Sequence, residues 1–400
     1  MATLPQHKPE FILVSKQLQS LYKKLPGIEK ELRQMRDIIL ANLVMIGEIP
    51  SPTFEEERRI EFLMNRFTEA GTSECSTDEA GNGIGILNGS VGKKSILINA
   101  HADTVFSGKI DHTMLVEKGT VTGPGVADNS LGLALLASLP YLLDRLDIKL
   151  KDNLILLGGV KSLGRGDLQG IRFFLENNSF NITSAICLEG VELGRVSYSS
   201  IGMLRGEIRC TVPETYDWTR FGETSAIITL NEVINKINDI RMPKRPRTSI
   251  VMGSIEGGSS FNMTALEASL RFEVRSESAE VVDQVGQRIE EIGIEVSSKA
   301  GDDVDVDIFA RRKPGGIPFA HPLNRVSIGI MEELGIEHRL APSISELSAL
   351  INSGIPALTL GLTTGDNLHK SNESIQIEPI YKGITQILGI LLAIDGGHCD

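Results

Sequence analysis

The sequence predicts an α/β fold: a mostly parallel sheet flanked by helices, with a smaller inserted α+β domain. Strand-like apolar runs alternate with helical runs in both end portions of the chain, which is typical of a parallel sheet covered on both faces. The middle portion alternates apolar and polar residues, as half-exposed antiparallel strands do. A chain of 400 residues is also long enough for two domains.

The large domain is predicted to combine residues 29–203 with residues 312–400. Apolar residues recur at helical spacing over 29–46, and Thr53 with Glu56 then resembles a capping box for a further helix. Strands are predicted at 83–87, 95–100, 154–158, 185–188 and 357–361. Helices are predicted between them at 131–146, 168–176 and 322–334.

The inserted domain is predicted to cover residues 204–311. Strand patterns at 203–212 and 269–275 accompany helical patterns at 224–237 and 279–292, so an antiparallel sheet with helices on it is expected. Residues 1–28 are interpreted as an N-terminal extension.

The composition narrows the range of partners. The net charge is −12 and no long basic run occurs, which argues against nucleic acid and anionic membranes. We expect no segment to reach the length of a membrane span, and the N-terminus has no apolar signal core. Four cysteines are scattered without metal-type spacing. They fit free thiols in a reducing cytoplasm.

Polar residues follow the predicted strands at 95–100 and 185–188. His101 and Asp103 come directly after the first, Glu189 ends the second, and Asp128 follows a glycine-rich turn. Open α/β sheets place their chemistry at this edge, and an imidazole with carboxylates suits a divalent transition metal. An unpaired carboxylate at Glu189 would be costly to bury. Asp128 could also cap the helix that begins near residue 131.

In their joint order, the motifs of the chain resemble the co-catalytic zinc metallopeptidases, the family of aminoacylase, peptidase T and carboxypeptidase G. The resemblance runs from about residue 49 to the C-terminus. It also takes in Ile49-Pro50-Ser51-Pro52, Asp78-Glu79-Ala80-Gly81-Asn82, Gly166-Asp167-Leu168, Gly257-Gly258-Ser259-Ser260-Phe261-Asn262, Arg275, Gly354-Ile355-Pro356-Ala357 and His369. It implies a zinc-dependent amidase or peptidase acting on a small peptide or N-acyl amino acid with a free carboxylate. It also implies a homodimer in which the insert is a dimerisation or lid domain.

The resemblance implies two metal sites that share a bridging Asp128. One metal would be held by His101, Asp128 and Glu189, with Asp103 in a catalytic role that orients His101. The second would use Asp128 and His369, although His369 could equally be an ordinary loop histidine.

The resemblance also implies a grip on the substrate's carboxylate. Asn262 and Arg275 match the positions that form it. Arg275 could equally pair with a nearby glutamate on the strand surface.

Two adjacent glutamates of the family, a general base and a metal ligand, are replaced here by Ser162 and Leu163 when residues are counted back from Gly166 without a gap. Serine is a poor base, and leucine cannot bind a metal. One zinc site is therefore expected and the second is doubtful. The missing base would have to be replaced by Asp103, Glu192 or a group of the substrate, and Glu192, in the loop after its strand, is the best surrogate. Tyr216 stands where the family often places a histidine.

Two hypotheses follow from the replaced pair. The chain is either an atypical or impaired metal-dependent hydrolase or a non-catalytic relative. A relative of that kind would bind a peptide-like carboxylate ligand or serve as a structural partner.

Overall fold

A computed structural model of the chain describes residues 16–213 and 225–400. Its strands, in chain order, are β1 (Glu74–Thr77), β2 (Gly83–Leu87), β3 (Ser95–His101), β4 (Leu115–Val116), β5 (Thr120–Thr122), β6 (Asn153–Gly159), β7 (Ile182–Glu189), β8 (Arg195–Ser197), β9 (Ser199–Ser200), β10 (Gly202–Thr211), β11 (Thr248–Gly257), β12 (Glu267–Ser276), β13 (Asp303–Arg312), β14 (Gly315–Gly316), β15 (Arg339–Leu340), β16 (Ala357–Gly361), β17 (Gly365–Asp366) and β18 (Ser374–Gln376). Its α-helices are α1 (Lys16–Gln34), α2 (Arg36–Gly47), α3 (Glu57–Glu69), α4 (Leu131–Arg145), α5 (Gln169–Asn177), α6 (Ala226–Asn238), α7 (Ala279–Ala300), α8 (Pro322–Glu333), α9 (Leu347–Asn352) and α10 (Glu378–Asp395).

The large sheet has the strand order β1-β2-β6-β3-β7-β16-β8-β15. Its central strands β6, β3, β7 and β16 are parallel, whereas β1 and β2 run antiparallel at one side and β8 pairs antiparallel with β16. Every residue of β3 is buried, because apolar clusters cover both faces of the sheet. The predicted mostly parallel sheet flanked by helices is therefore confirmed.

A separate antiparallel sheet, in the order β11-β12-β10-β13, lies between the two parts of the large domain. Alternate residues of β10 explain its two faces: Leu204 and Ile208 are buried against α6 and α7, while Arg205 and Arg209 point to the opposite face. The predicted boundaries, residues 204 and 311, lie just inside the ends of this sheet. Among residues 225–311 and 204–213, no strand joins the large sheet.

The predicted single helix over 29–46 is wrong in its bounds. The chain forms two helices there, α1 and α2, which are separated at Met35. α1 begins inside the predicted extension and packs on α10, because Leu18, Leu25 and Leu32 form a buried stripe at helical spacing.

The expectation that no segment reaches the length of a membrane span also needs correction. Residues Val126–Arg145 are long and apolar enough by length and composition alone. However, 89% of the apolar window is buried inside the protein, so this stretch gives only weak evidence for a span. It lies between the large sheet and α2 and α3.

Candidate metal centre

Three potential metal ligands converge at the carboxyl edge of the large sheet. His101 and Glu189 end the adjacent parallel strands β3 and β7, and Asp128 comes from the turn Val126–Ser130 before α4. One ligand atom of each residue lies within 4.8 Å of the others. Within residues 16–213 and 225–400, no other group of three histidine, cysteine or acidic side chains has its ligand atoms this close together. The structure thus brings together the three residues expected for one metal.

The His101 ring lies between two acidic residues. Its Nε2 is 3.0 Å from Asp128 Oδ1. Its Nδ1 is 2.9 Å from the backbone oxygen of Asp103 and 3.4 Å from Oδ1 of that residue. Burial alone would lower the pKa of His101, but the two acidic neighbours outweigh it and raise the pKa well above its usual value. With Nδ1 directed at Asp103, Nε2 is the nitrogen that faces the cluster.

Asp103 is fully buried and is fixed through its second carboxylate oxygen. Oδ2 accepts hydrogen bonds from Thr53 Oγ1 at 2.8 Å and from the backbone N–H groups of Ser162 at 3.1 Å and Leu163 at 2.8 Å. Burial would raise the pKa of Asp103, but His101 and these donors hold it below its usual value. The contact with His101 is the one expected of a residue that orients the histidine.

The predicted capping box is wrong. Thr53 bonds Asp103 instead, and α3 begins only after Glu56. The buried Glu56 side chain accepts the N–H groups of Phe54 at 2.9 Å and Lys161 at 2.8 Å. It therefore ties the segment before α3 to the loop after β6, a role that the sequence pattern did not indicate.

The two carboxylates of the cluster carry opposite pKa shifts. Burial, together with the charge of Asp128, raises the pKa of Glu189 to about 8. Burial also opposes ionisation of Asp128, but His101 and His369 hold the pKa of Asp128 well below its usual value. Buried like charges disfavour one another's ionisation, and a bound cation would remove that penalty.

His369 lies between β17 and β18 with its backbone in the left-handed region, at φ 63°. Its Nε2 is 3.0 Å from Asp128 Oδ2. Glu373, fully buried, accepts the N–H of His369 at 2.7 Å and that of Ala127 at 3.1 Å. Glu373 therefore fixes the loops of both His369 and Asp128. No sequence motif indicates Glu373, because its hydrogen-bond partners are backbone N–H groups.

Asp128 has no part in capping α4. Asn129 accepts the N–H of Gly132 at 3.1 Å instead. Both oxygens of Asp128 are thus directed at histidines, one at His101 and one at His369.

The loop after β6 supplies no acid to this centre. Residues 160–166 read Val-Lys-Ser-Leu-Gly-Arg-Gly and contain no carboxylate. Aligning the family's two glutamates one residue earlier or later would therefore still place no acid at either position. The Ser162 hydroxyl is buried without a hydrogen-bond partner among the described residues, and Leu163 is half-buried. The next acid, Asp167, is paired with Arg172 at 3.0 Å and Arg312 at 2.8 Å.

Glu192 is wrong as a surrogate base. Its two carboxylate oxygens pair with Arg195 and Arg339. Although burial opposes ionisation, these arginines hold the pKa of Glu192 below its usual value. A carboxylate stabilised in this way is a weak proton acceptor.

Asn262 and Arg275 lie at opposite ends of β12. Asn262 is exposed in the loop before the strand and accepts a hydrogen bond from Ser260 at 2.9 Å, while Arg275 is the penultimate residue of the strand and pairs with Glu273. Eight residue steps of a strand span roughly 26 Å, so one small anion cannot contact both within a single chain. The pairing with a strand glutamate, left open from the sequence, is formed. Tyr216 lies outside the described residues.

The comparisons with known proteins agree with this fold. The model of peptidase family M20/M25/M40 matches residues 97–393, and the chain belongs to this family. No curated protein matches the chain at a significant level.

Solved structures of the same fold include three peptidases. The aminopeptidase PepT from Bacillus cereus has 18% identity and a TM-score of 0.67, with 89% of this chain and 97% of that chain covered. Human carnosine dipeptidase 1 has 12% identity and a TM-score of 0.75, with coverages of 93% and 99%. The YXEP protein of Bacillus subtilis, described as a dinuclear metal-binding peptidase of family M20, has 14% identity and a TM-score of 0.56, with coverages of 94% and 99%. The family is metal-dependent, so the acidic cluster and its histidines stand where metal chemistry is expected.

Proposed function

We propose that this chain is an atypical M20 hydrolase that holds one zinc ion and binds a small peptide or N-acyl amino acid through its free carboxylate. The single observation that supports this most strongly is the contrast between two parts of the site. His101, Asp128 and Glu189 converge within 4.8 Å, whereas residues 160–166 offer no acid for a second ion or for proton transfer.

The residues present fit a zinc ion. Imidazole nitrogen and carboxylate oxygen are both zinc ligands, and three protein ligands leave the fourth tetrahedral position open. The raised pKa of Glu189, about 8, reflects buried negative charge that a cation would offset. When bound, zinc supplies a Lewis acid for a substrate carbonyl. Asp103 orients His101 through the ring nitrogen Nδ1, which points away from the cluster. Glu373 fixes the backbone of the turn that carries Asp128.

The second position is weaker because, within residues 16–213 and 225–400, Asp128 and His369 are the two side chains that we assign to it. One of these ligands is already shared, and two are fewer than a tightly held ion needs. Loss of a general base lowers rates by about 10²–10⁴, so hydrolysis of ordinary dipeptides should be slow or absent. A non-catalytic relative that keeps one metal and binds the same ligands is the second candidate. The observation in its favour is the pairing of Glu192 with two arginines.

Hydrolysis by zinc-loaded protein tests this proposal. A panel of dipeptides and N-acyl amino acids is compared between the wild type and the variant Ser162→Glu with Leu163→Glu. We expect little turnover from the wild type and more from the double variant. Brisk turnover from the wild type would refute the impairment and show that another residue acts as the base.

We also propose a homodimer formed through β11. This strand is the edge of the small sheet, and its side chains Val251 and Ile255 are 42% and 61% exposed. In the neighbouring loop, Phe261 is fully exposed. Unpaired apolar edges of this kind associate with partners. Light scattering should give a dimer mass for the wild type and a monomer mass for Ile255→Lys. A monomeric wild type would refute the proposal. The expected cytoplasmic location stays a prediction.

A further inference from the structure

Three segments of the large domain meet at one carboxylate oxygen beside the metal centre. Asp103 Oδ2 accepts hydrogen bonds from Thr53 Oγ1 and from the backbone N–H of Leu163, both at 2.8 Å. The segment of Asp103 itself runs alongside that of Thr53, because Pro52 and Thr104 form a parallel pairing. The residues that adjoin these contacts are therefore neighbours at the edge of the metal centre.

Each of the three segments carries an apolar side chain that is accessible to solvent. Phe54 follows Thr53 and is 54% exposed, and Val105 lies two residues after Asp103 and is also 54% exposed. Leu163 is half-buried. Single exposed apolar residues are ordinary, but three from segments joined at one atom form a local apolar surface. We call Phe54, Val105 and Leu163 the apolar rim.

The backbone of Phe54 is strained. Its φ is 80°, in the left-handed region that a bulky side chain rarely adopts. The buried carboxylate of Glu56 holds this conformation, because it accepts the N–H of Phe54 at 2.9 Å and that of Lys161 at 2.8 Å. Residues in such conformations cluster at active sites and ligand-binding sites. A half-exposed aromatic ring kept in this way indicates a contact with a ligand.

The loop after β6 adds hydrocarbon to this edge. Residues 160–166 contain no acid, and their two basic side chains are engaged elsewhere. Lys161 Nζ donates to the backbone oxygen of Ala80 at 2.9 Å, while Arg165 pairs with acidic residues of the small sheet. Leu163 stands where the resemblance implies a charged metal ligand, so an apolar side chain replaces a carboxylate there.

We propose that the apolar rim is a subsite for a long unbranched acyl chain, so that the ligand is an N-acyl amino acid with such a chain. This inference rests on the proposed function for the amide. The acyl chain begins at the amide carbonyl carbon, so a carbonyl at the metal centre brings the first CH₂ groups against the surface directly around that centre. Water that leaves both apolar surfaces favours this contact. A peptide would bring its charged amino group to the same hydrocarbon, and the loss of its hydration would be costly.

Two valines of nearly equal exposure allow a matched test. Val105 is 54% exposed at the rim, and Val91 is 58% exposed in the loop before β3, at the opposite end of that strand from His101. Affinities for N-acetyl-L-glutamine and N-octanoyl-L-glutamine are measured by calorimetry with zinc-loaded wild type, Val105→Ser, Leu163→Ser and Val91→Ser. N-methyloctanamide, which carries the same chain without a carboxylate, is measured beside them.

The wild type and Val91→Ser should bind N-octanoyl-L-glutamine at least about thirtyfold more tightly than N-acetyl-L-glutamine, since each CH₂ group that loses water on one side is worth about twofold in affinity. Val105→Ser and Leu163→Ser should each lower this preference at least about threefold and leave the affinity for N-acetyl-L-glutamine within about twofold. Equal affinity of the wild type for the two glutamine probes would overturn the proposal. So would an unchanged preference in both rim variants.

The neutral probe separates this proposal from the proposed function. Binding of N-methyloctanamide that weakens in Val105→Ser supports the subsite. If N-octanoyl-L-glutamine then binds no more tightly than the neutral amide, recognition of the free carboxylate fails while the subsite stands. Binding of none of the three probes would overturn both.

Discussion

Replacing Glu189 by glutamine should stabilise the metal-free protein at neutral pH. Glu189 is half-buried beside Asp128, and desolvation together with the charge of Asp128 raises its pKa from 4.5 to about 8. At pH 7 the folded protein therefore keeps a proton that the unfolded chain releases, which costs the fold roughly 3 kcal/mol. The stability contributed by the protonated form is complete below pH 4.5 and is lost as the pH rises through 8. Glutamine is neutral at every pH and avoids this cost.

Urea unfolding in EDTA measures the effect. The free energy of unfolding of Glu189→Gln should exceed that of the wild type by less than about 1 kcal/mol at pH 5 and by roughly 3 kcal/mol at pH 7. Glu117→Gln, which changes an exposed glutamate, is the control and should show no such trend. Saturating zinc should reverse the order, because only the wild type retains both anionic ligands. A difference between the variants that does not change with pH would refute the electrostatic account of the cluster.

Three further predictions concern other parts of the site. Ser162→Glu with Leu163→Glu should raise the zinc content above one per chain, measured by elemental analysis after desalting; an unchanged content would show that this loop does not face the second position. Arg275→Ala should weaken binding of N-acetyl-L-glutamine at least about tenfold in calorimetry, and unchanged affinity in the folded variant would remove it from the ligand site. Arg59 is fully buried and donates to the backbone oxygens of Ile49 and Ala102 at 2.8 and 3.2 Å. Its replacement by alanine should lower the free energy of unfolding by about 3–5 kcal/mol. A loss below about 1 kcal/mol in urea unfolding would contradict that role.

Much of the fold was predictable because burial leaves a periodic pattern. β3 and β7 read as continuous apolar runs since both faces of the large sheet are covered. The alternation in β10 identified a sheet with one covered face. The break between α1 and α2 was not predictable in the same way, because the apolar stripe continues across Met35.

The metal centre was predictable where a ligand ends a strand, as His101 and Glu189 do. The supporting residues were not. Glu56 and Glu373 bind backbone N–H groups, and such contacts leave no spacing rule in the sequence. Glu192 is unsuitable as a base because Arg195 and Arg339 stabilise its negative charge. The contact with Arg339 could not be read from the sequence, since the two residues are 147 positions apart.

The number of zinc ions held by each chain tests the account most directly. Purified protein is loaded with zinc, desalted and analysed for metal, beside the variants His101→Ala and His369→Ala. We predict one zinc ion per chain in the wild type, its retention in His369→Ala, and its loss in His101→Ala. Two tightly held zinc ions per wild-type chain would contradict it, because a second full set of ligands would then have to exist.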